Sequence, residues 1–197
     1  MMVNSGCSRR LLSVRQLAAV GMLSAITMVL GLSGFGFVPL PMAKATVMHI
    51  PVIIGTIVEG PVVGILIGLM FGLFSIFQNM VAPNILSFVF LNPLVSVVPR
   101  VLIALTTYYC YKIPLGSENW RIGLGAAVGS LTNTIGVLGM IYLLYVADFA
   151  AARGISVDAA LAVVYGIALT NGVAEAAISV VVTIPVIIMI RKVRRPR

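Results

Sequence analysis

The sequence predicts an all-α integral membrane protein, a bundle of six transmembrane helices with both termini in the cytoplasm. Of its 197 residues, 60% are hydrophobic and only 9% are charged, whereas soluble domains carry roughly 25% charged residues. So few charges cannot cover a surface that faces water, and six apolar segments take up most of the chain. We therefore expect lipid to surround most of the fold.

The net charge of +8 comes largely from the two ends of the chain. Eight of the thirteen basic residues lie there: Arg9, Arg10, Arg15, Arg191, Lys192, Arg194, Arg195 and Arg197. Basic flanks of this kind are typical of membrane topology signals. No basic helix is interleaved with stacking aromatic residues, so we expect no nucleic-acid partner.

Six apolar segments follow one another along the chain, at residues 17–31, 46–58, 62–77, 85–111, 122–145 and 159–190. The first has no convincing small-x-small cleavage site, which indicates a retained helix rather than a signal peptide. The second contains Pro51 and, at about 1.5 Å per residue, is too short to cross a core of about 30 Å alone. It must be extended by its flanks, tilted, or packed inside the bundle.

Glycine and proline residues punctuate these segments. Residues 32–45 are rich in both and cannot continue a helix through their two prolines. Gly64, Gly68 and Gly72 share one face of the third segment, where the backbone of another helix can approach closely. Two prolines inside the fourth segment predict kinks there.

Six crossings return the chain to its starting side, and the charges agree with this count. The N-terminal end, the connection after the second segment, the connection at 112–121 and the C-terminal tail hold three, none, two and five basic residues, ten in all. The opposite loops hold two, Lys44 and Arg153, and Arg100 falls within the fourth segment. Ten against two is a strong positive-inside signal.

This bias predicts a cytoplasmic N-terminal segment (1–16), a six-helix transmembrane domain (17–190) and a basic cytoplasmic tail (191–197). The alternative is five crossings with a re-entrant second segment. That arrangement would place the two basic ends on opposite sides of the membrane.

Polar side chains recur four residues apart in two of the segments. They are Asn92, Ser96 and Arg100 in the fourth segment and Asn171, Glu175 and Ser179 in the sixth. This spacing places each set along one stripe of its helix. An arginine at the middle of a membrane helix costs roughly 2.5 to 3.5 kcal/mol to insert, so such residues need a partner within the protein or a ligand.

Each of these candidates has a structural and a functional interpretation. Arg100 and Glu175 form an internal ion pair, or Arg100 holds an anionic group of a substrate. The asparagines, including Asn133 of the fifth segment, bond between helices or bind a substrate. His49 caps or packs near the second segment or binds a substrate, and Lys44 faces water or contacts an anion. A single histidine is a poor metal site, and we expect neither a metal nor a cofactor.

Three common motifs of nucleotide-binding and catalytic sites do not occur in the chain. It contains no G-x-x-x-x-G-K-[ST] loop, no G-x-S-x-G and no H-E-x-x-H. ATP hydrolysis through a P-loop is therefore excluded for this chain, and nothing indicates an intramembrane enzyme.

Two stretches resemble the substrate-binding (S) components of energy-coupling factor (ECF) vitamin transporters. They are TVMHIPVIIGTIVEGPVVGILIGLMFGLF at 46–74 and SFVFLNPLVSVVPRVLIAL at 87–105. The resemblance implies a multi-pass protein of the bacterial plasma membrane that binds a vitamin or related micronutrient near the outer face. It also implies partners, a transmembrane coupling protein and two cytoplasmic ATPase subunits, which would explain the missing P-loop.

The resemblance also implies which residues bind and dock. Partner docking in the family uses small residues four apart in the first helix, here Gly21 and Ala25 alongside Ala18, although ordinary packing would use them too. The loop at 32–45 would cover the substrate. The chain looks closest to pantothenate-type members, so Arg100 would bind a carboxylate and the asparagines an amide and hydroxyls. Folate or another small anion is the alternative ligand.

Two other functions compete with this one. A stand-alone secondary transporter of a small anionic solute could use Glu175 to carry a proton, although the chain shows no clear inverted repeat. A membrane scaffold would use the glycine faces but would gain little from Arg100.

Overall fold

The computed structural model describes residues 12–39, 44–83, 86–114 and 116–194, with side chains except at 37–39 and 44–45. These ranges form eight helices and a two-stranded ribbon: α1 (Val14–Ser33), β1 (Phe37–Pro39), β2 (Lys44–Thr46), α2 (Ile50–Glu59), α3 (Pro61–Val81), α4 (Ser87–Phe90), α5 (Pro93–Ser96), α6 (Val98–Lys112), α7 (Glu118–Arg153) and α8 (Val157–Arg194). The architecture is helical, as the composition predicts, apart from the short ribbon.

Five charged residues meet at one end of the bundle, which we call the basic end: Arg15, Glu59, Glu118, Arg191 and Arg194. Glu59 Oε1, at the end of α2, lies 3.1 Å from Arg15 Nη2 at the start of α1 and 2.5 Å from Arg194 Nη2 at the end of α8. Arg191 pairs with Glu118 at the start of α7. The first turn of α1 and the last turn of α8 therefore lie at the same end of the bundle.

Within the described ranges, five helical stretches are long and apolar enough to cross a membrane. They are Val14–Ser33, Pro61–Val81, Pro93–Lys112, Glu118–Arg153 and Val157–Arg194. The second predicted segment forms only the ten-residue helix α2, and eight of its ten residues are buried. Its short apolar run is thus packed inside the bundle rather than extended by its flanks.

The glycine face of α3 packs against α2, α5 and α6, as the four-residue spacing predicts. A Cβ atom on Gly68 would collide with the carbonyl oxygen of Arg100, and one on Gly72 would lie 2.8 Å from the carbonyl oxygen of Ser96. Gly64 contacts α2 with similar closeness. The missing side chains let the chain around Arg100 lie directly on α3.

The fourth predicted segment is broken into three helices rather than kinked. Asn92 lies between α4 and α5 and caps α5, because its Oδ1 accepts a hydrogen bond from the Leu94 N–H at 2.9 Å. Pro93 and Pro99 occupy the first turns of α5 and α6. A proline there lacks an N–H that would have no helical partner anyway, so each proline starts a helix instead of bending one.

The fifth predicted segment continues beyond its expected end. Helix α7 runs to Arg153, although Tyr145 has non-helical dihedral angles, φ −138° and ψ 20°. Gly154 then ends the helix at a positive φ of 65°, a conformation that glycine adopts without steric cost. Residues 146–153 therefore form the last two turns of α7, and α8 begins at Val157.

The connection between α1 and α2 is more regular than its glycines and prolines predict. Strands β1 and β2 pair in an antiparallel manner, with Phe37 opposite Thr46 and Pro39 opposite Lys44. A two-stranded ribbon leaves both outer edges free, so Pro39 can lie in a strand without interrupting a sheet. The expectation that no helix continues through these residues is met where the structure describes them.

Candidate functional site

A cavity of about 440 Å³ lies at the end of the bundle opposite the basic end. Its walls come from the C-terminal half of α3, the first turn of α6, the later part of α7 and the first half of α8, with Thr46 and Met48 from the connection that precedes α2. Ten of the twenty lining residues are apolar and ten are polar or charged, so the wall can contact both kinds of ligand group. A cavity of this volume with both kinds of lining group suits a small molecule.

Arg100 is the buried cation of this cavity, with only 6% of its surface exposed. One guanidinium nitrogen, Nη1, donates to the carbonyl oxygen of Val95 at 2.8 Å. The guanidinium lies between two aromatic rings, with Cζ 5.3 Å from the centroid of Phe71 and 5.8 Å from that of Phe90. Its buried Nε has no hydrogen-bond partner. Arg100 is thus held in place while part of its donor capacity is unused.

Glu175 is the carboxylate of the same cavity, but its partners are neutral. Oε1 accepts a hydrogen bond from the Thr46 backbone N–H, and Oε2 accepts one from the Thr134 hydroxyl, both at 2.6 Å. Arg100 and Glu175 are not among the ion pairs of the described residues. The interpretation of the two as a direct ion pair is therefore wrong, although both charges line one cavity.

Two of the three predicted asparagines also line the cavity. Asn133 is buried, and its Oδ1 has no hydrogen-bond partner. Asn171 lies one turn before Glu175 on α8, and its Oδ1 accepts a hydrogen bond from Thr170 at 3.4 Å. A buried amide oxygen without a donor leaves a group that a ligand N–H or O–H would satisfy.

Asn92 and Ser96 lie outside the cavity wall and support it instead. Asn92 Nδ2 donates to the hydroxyl oxygen of Tyr145 at 2.9 Å. Ser96 Oγ donates to the carbonyl oxygen of Phe90 at 2.5 Å. Both therefore fix aromatic neighbours of the cavity, in a role that their four-residue spacing does not reveal.

His49 and Lys44 belong to the connection that leads into α2. His49 is fully buried, and its Nε2 lies 2.8 Å from Ser179 Oγ on α8. Its side chain makes no capping hydrogen bond to α2, although it occupies the N-cap position. Lys44 lies in β2, and its side chain is outside what the structure describes.

The cavity contains polar residues that the sequence analysis did not single out as ligands. Arg153, at the end of α7, lines the cavity with its guanidinium over the Phe149 ring, 5.0 Å from the centroid. Thr46, Thr134 and Gln78 also line it. Within the described ranges, no three His, Cys, Asp or Glu side chains come together as metal ligands would.

The predicted docking residues form part of an open face of α1. Ala18, Gly21 and Ala25 are all exposed, and a Cβ atom on Gly21 would meet no atom within 4 Å. Neighbouring Leu17 and Met22 are exposed as well, at 61% and 63%. This face does not pack against the rest of the described chain.

Comparison with known proteins gives a consistent picture. Residues 15–187 match the family described as "ECF transporter, substrate-specific component". The chain is also 30% identical, over 171 residues, to the pantothenic acid transporter PanT of Lactococcus lactis subsp. cremoris (strain MG1363). That alignment covers 79% of this chain and 82% of the Lactococcus protein.

Proposed function

Because this chain belongs to the substrate-specific component family of ECF transporters, we propose that it captures pantothenate at the outer face of the bacterial plasma membrane for ATP-driven uptake. It is a membrane transport subunit rather than an enzyme, and in this proposal ATP is hydrolysed by its partners. The similarity to a pantothenic acid transporter supports the choice of vitamin.

The chemistry of the cavity carries the proposal. Pantothenate has a carboxylate at one end, a central amide and two hydroxyls. A guanidinium binds a carboxylate through two parallel N–H donors, and Arg100 has a buried Nε without a partner. The unsatisfied Asn133 Oδ1 suits an amide N–H or a hydroxyl, and the apolar wall suits the methyl groups. A buried cation without a carboxylate contact is the single observation that most favours an anionic ligand.

The proposed membrane orientation places the basic end in the cytoplasm. Lys112, Arg121, Arg191, Lys192 and Arg194 all belong to helix ends or connections on that side, as the positive-inside rule requires. Because Arg15 of α1 and Arg194 of α8 both contact Glu59, the two ends of the helical bundle lie on one side, which supports an even number of crossings. Helix α2 then crosses the membrane in addition to the five long apolar helical stretches. The cavity then faces the outside, where a vitamin arrives.

The proposed partners are a transmembrane coupling protein and two cytoplasmic ATPase subunits. The open face of α1 at Ala18, Gly21 and Ala25 suits flat and reversible contact with a helix of the coupling protein, because small residues let backbones approach closely in lipid.

Equilibrium binding to the purified protein tests the choice of ligand. Labelled pantothenate should bind with a Kd below micromolar. Pantothenol, in which an alcohol replaces the carboxylate, is the matched ligand, and we expect it to bind at least roughly tenfold more weakly because it cannot form the charged pair with Arg100. Micromolar or weaker binding of pantothenate would remove it as the ligand.

Uptake in cells or vesicles tests whether this chain binds the vitamin while its partners supply the energy. Pantothenate should accumulate only when this chain is present together with the coupling protein and both ATPases. Accumulation by this chain alone would identify a stand-alone secondary transporter instead.

Gly21→Leu separates docking from binding. Among the described residues, a Cβ atom at position 21 would meet no atom within 4 Å, so the fold and the pantothenate Kd should not change. It would obstruct the flat α1 face, and we expect loss of co-purification with the coupling protein and at least about a tenfold loss of uptake. Met22→Leu, a conservative change on the same exposed helix, is the control. Equal uptake by the two variants would remove this face as the docking site.

A further inference from the structure

Arg153 is a second cation of the cavity, and its situation differs from that of Arg100. Arg153 is exposed, whereas Arg100 is buried, so the two cations mark the outer and inner parts of one cavity. None of the ion pairs among the described residues involves Arg153. Its one contact of note is with the ring of Phe149, which leaves its charge available to an incoming molecule.

A local feature of α7 places Arg153 at the mouth. The non-helical conformation of Tyr145 redirects the last eight residues of α7. Phe149 and Arg153 are four residues apart and so share one face of this last part, which turns toward the cavity because both residues line it. Phe149 is 1% exposed and anchors the turn.

Two contacts hold this bend in position. Asn92 Nδ2 donates to the Tyr145 hydroxyl at 2.9 Å. The ring of Phe88 meets the Tyr145 ring edge to face, with 5.9 Å between the centroids. The bend that places Arg153 at the cavity is therefore held by Phe88 of α4 and by Asn92, the N-cap residue of α5.

We propose that Arg153 captures the anionic substrate at the cavity mouth and passes it inward to Arg100. Arg153 then sets the association rate, and Arg100 sets the dissociation rate. A single-signed charge at the rim of a low-dielectric cleft raises the local concentration of an oppositely charged molecule and so its rate of entry, while a buried contact mainly determines how long the ligand stays. The proposal rests on the proposed function in that the substrate is an anion.

Stopped-flow binding of pantothenate tests the division of rates. At low salt, we expect Arg153→Gln to lower the association rate constant about fivefold and Arg153→Glu about tenfold or more, with dissociation nearly unchanged. Arg153→Lys keeps the charge and should restore the wild-type rate. The differences should shrink in about 1 M salt, where the screening length falls to about 3 Å. Arg121→Gln, at the basic end, is the control and should leave both rates unchanged.

A second measurement does not depend on pantothenate. Ser75 lines the cavity and is buried, and the chain has only two cysteines. In a variant with Cys7→Ser, Cys110→Ser and Ser75→Cys, the rate of modification by the negatively charged sulfonatoethyl methanethiosulfonate is compared with that of the positively charged trimethylammonium analogue. Arg153→Gln should reduce this ratio about fivefold, and Arg153→Lys should restore it.

The two measurements separate the possible failures. If pantothenate does not bind but the reagent ratio falls in Arg153→Gln, the ligand assignment fails and the capture role stands. If pantothenate binds, but Arg153→Gln changes neither its association rate nor the reagent ratio, the capture role is overturned. An effect of Arg153→Gln confined to the dissociation rate would overturn it as well.

Discussion

Charged residues occupy both ends of the bundle, but they are partnered in different ways. At the basic end, Glu59 contacts two arginines and Glu118 contacts Arg191. At the cavity end, neither Arg100 nor Arg153 forms an ion pair with any described carboxylate, and Glu175 is held by a backbone N–H and a hydroxyl. Both carboxylates of the basic end therefore contact arginines, whereas the carboxylate of the cavity end contacts only neutral groups.

The difference is informative because the two kinds of charge have different energetic consequences. Ion pairs between exposed side chains stabilise a protein by roughly 0.2 to 1 kcal/mol each. The arginines of the basic end are 32% to 62% exposed, although Glu59 itself is 7% exposed, so these pairs contribute modestly to holding the helix ends together. A buried cation without a carboxylate contact destabilises the empty protein. Because Glu175, the one carboxylate among the described residues that line the cavity, makes no direct contact with Arg100, we propose that an anionic ligand makes that contact.

The largest effect that separates the two ends should come from Arg100→Met, which keeps most of the side-chain volume but removes the charge. We expect pantothenate affinity to fall roughly thirtyfold or more, because loss of a buried charged contact costs about 2 kcal/mol or more. The preference for pantothenate over pantothenol should disappear in the same variant. Isothermal titration with both ligands measures the two quantities.

Arg121→Met provides the matched control for that variant. Arg121 lies at the other end of the bundle, where its guanidinium packs over the Tyr111 ring, and its loss should leave both affinities unchanged. Unchanged pantothenate affinity in Arg100→Met would mean that Arg100 has only a structural role.

An intermediate effect, on hydrogen exchange, is expected from Glu175→Gln. This variant tests the contact between α8 and the ribbon at the cavity end. Glu175 joins α8 to the Thr46 N–H at the end of β2. A hydrogen bond to a charged acceptor is worth about 1 kcal/mol more than one to a neutral acceptor. The amide proton of Thr46 should therefore exchange with solvent about fivefold faster in the variant.

Hydrogen exchange of the segment at 44–49 measures this release. Glu118→Gln, a carboxylate change at the basic end, should leave the exchange of this segment as in the wild type. Equal exchange in Glu175→Gln and the wild type would show that Glu175 does not hold the ribbon.

The smallest effect should come from Glu59→Gln, which weakens the pairs with Arg15 and Arg194. Both arginines are exposed, although the Glu59 side chain is only 7% exposed. The glutamine amide oxygen can still accept hydrogen bonds from them, so we expect a net loss of about 1 kcal/mol. That corresponds to a fall in Tm of about 2 to 4 °C for a chain of this size. Pantothenate affinity should not change, because Glu59 lies at the end opposite the cavity. Thermal unfolding in detergent, followed by tryptophan fluorescence, provides the measurement.

Regular features of the fold were predictable because lipid imposes them. Apolar runs and basic flanks gave the order of the helices, and the four-residue glycine spacing gave the close face of α3. A four-residue spacing also places Asn171 and Glu175 on one face of α8, because the helix is continuous between them. Both residues therefore line the cavity together with Arg100 and Asn133.

Other features depend on breaks that the sequence does not display. Asn92 and Ser96 would share a stripe with Arg100 only in a continuous helix, but Pro93 and Pro99 begin new helices. Arg153 was counted as a loop charge because the apolar run ends near Tyr145, whereas the helix continues past it. The bond from Thr46 to Glu175 uses a backbone N–H, which no side-chain identity can indicate.

Thermal unfolding of three proteins, each with and without pantothenate, tests the contrast between the two ends most directly. A ligand at a hundredfold excess over its Kd stabilises the folded state by about 2.7 kcal/mol, so the Tm of the wild type should rise by about 5 to 10 °C. Arg100→Met should match or exceed the ligand-free wild-type Tm and lose this rise, while Glu59→Gln should have a lower ligand-free Tm and keep it. A strongly lowered ligand-free Tm of Arg100→Met, with the full rise on adding pantothenate, would contradict the account.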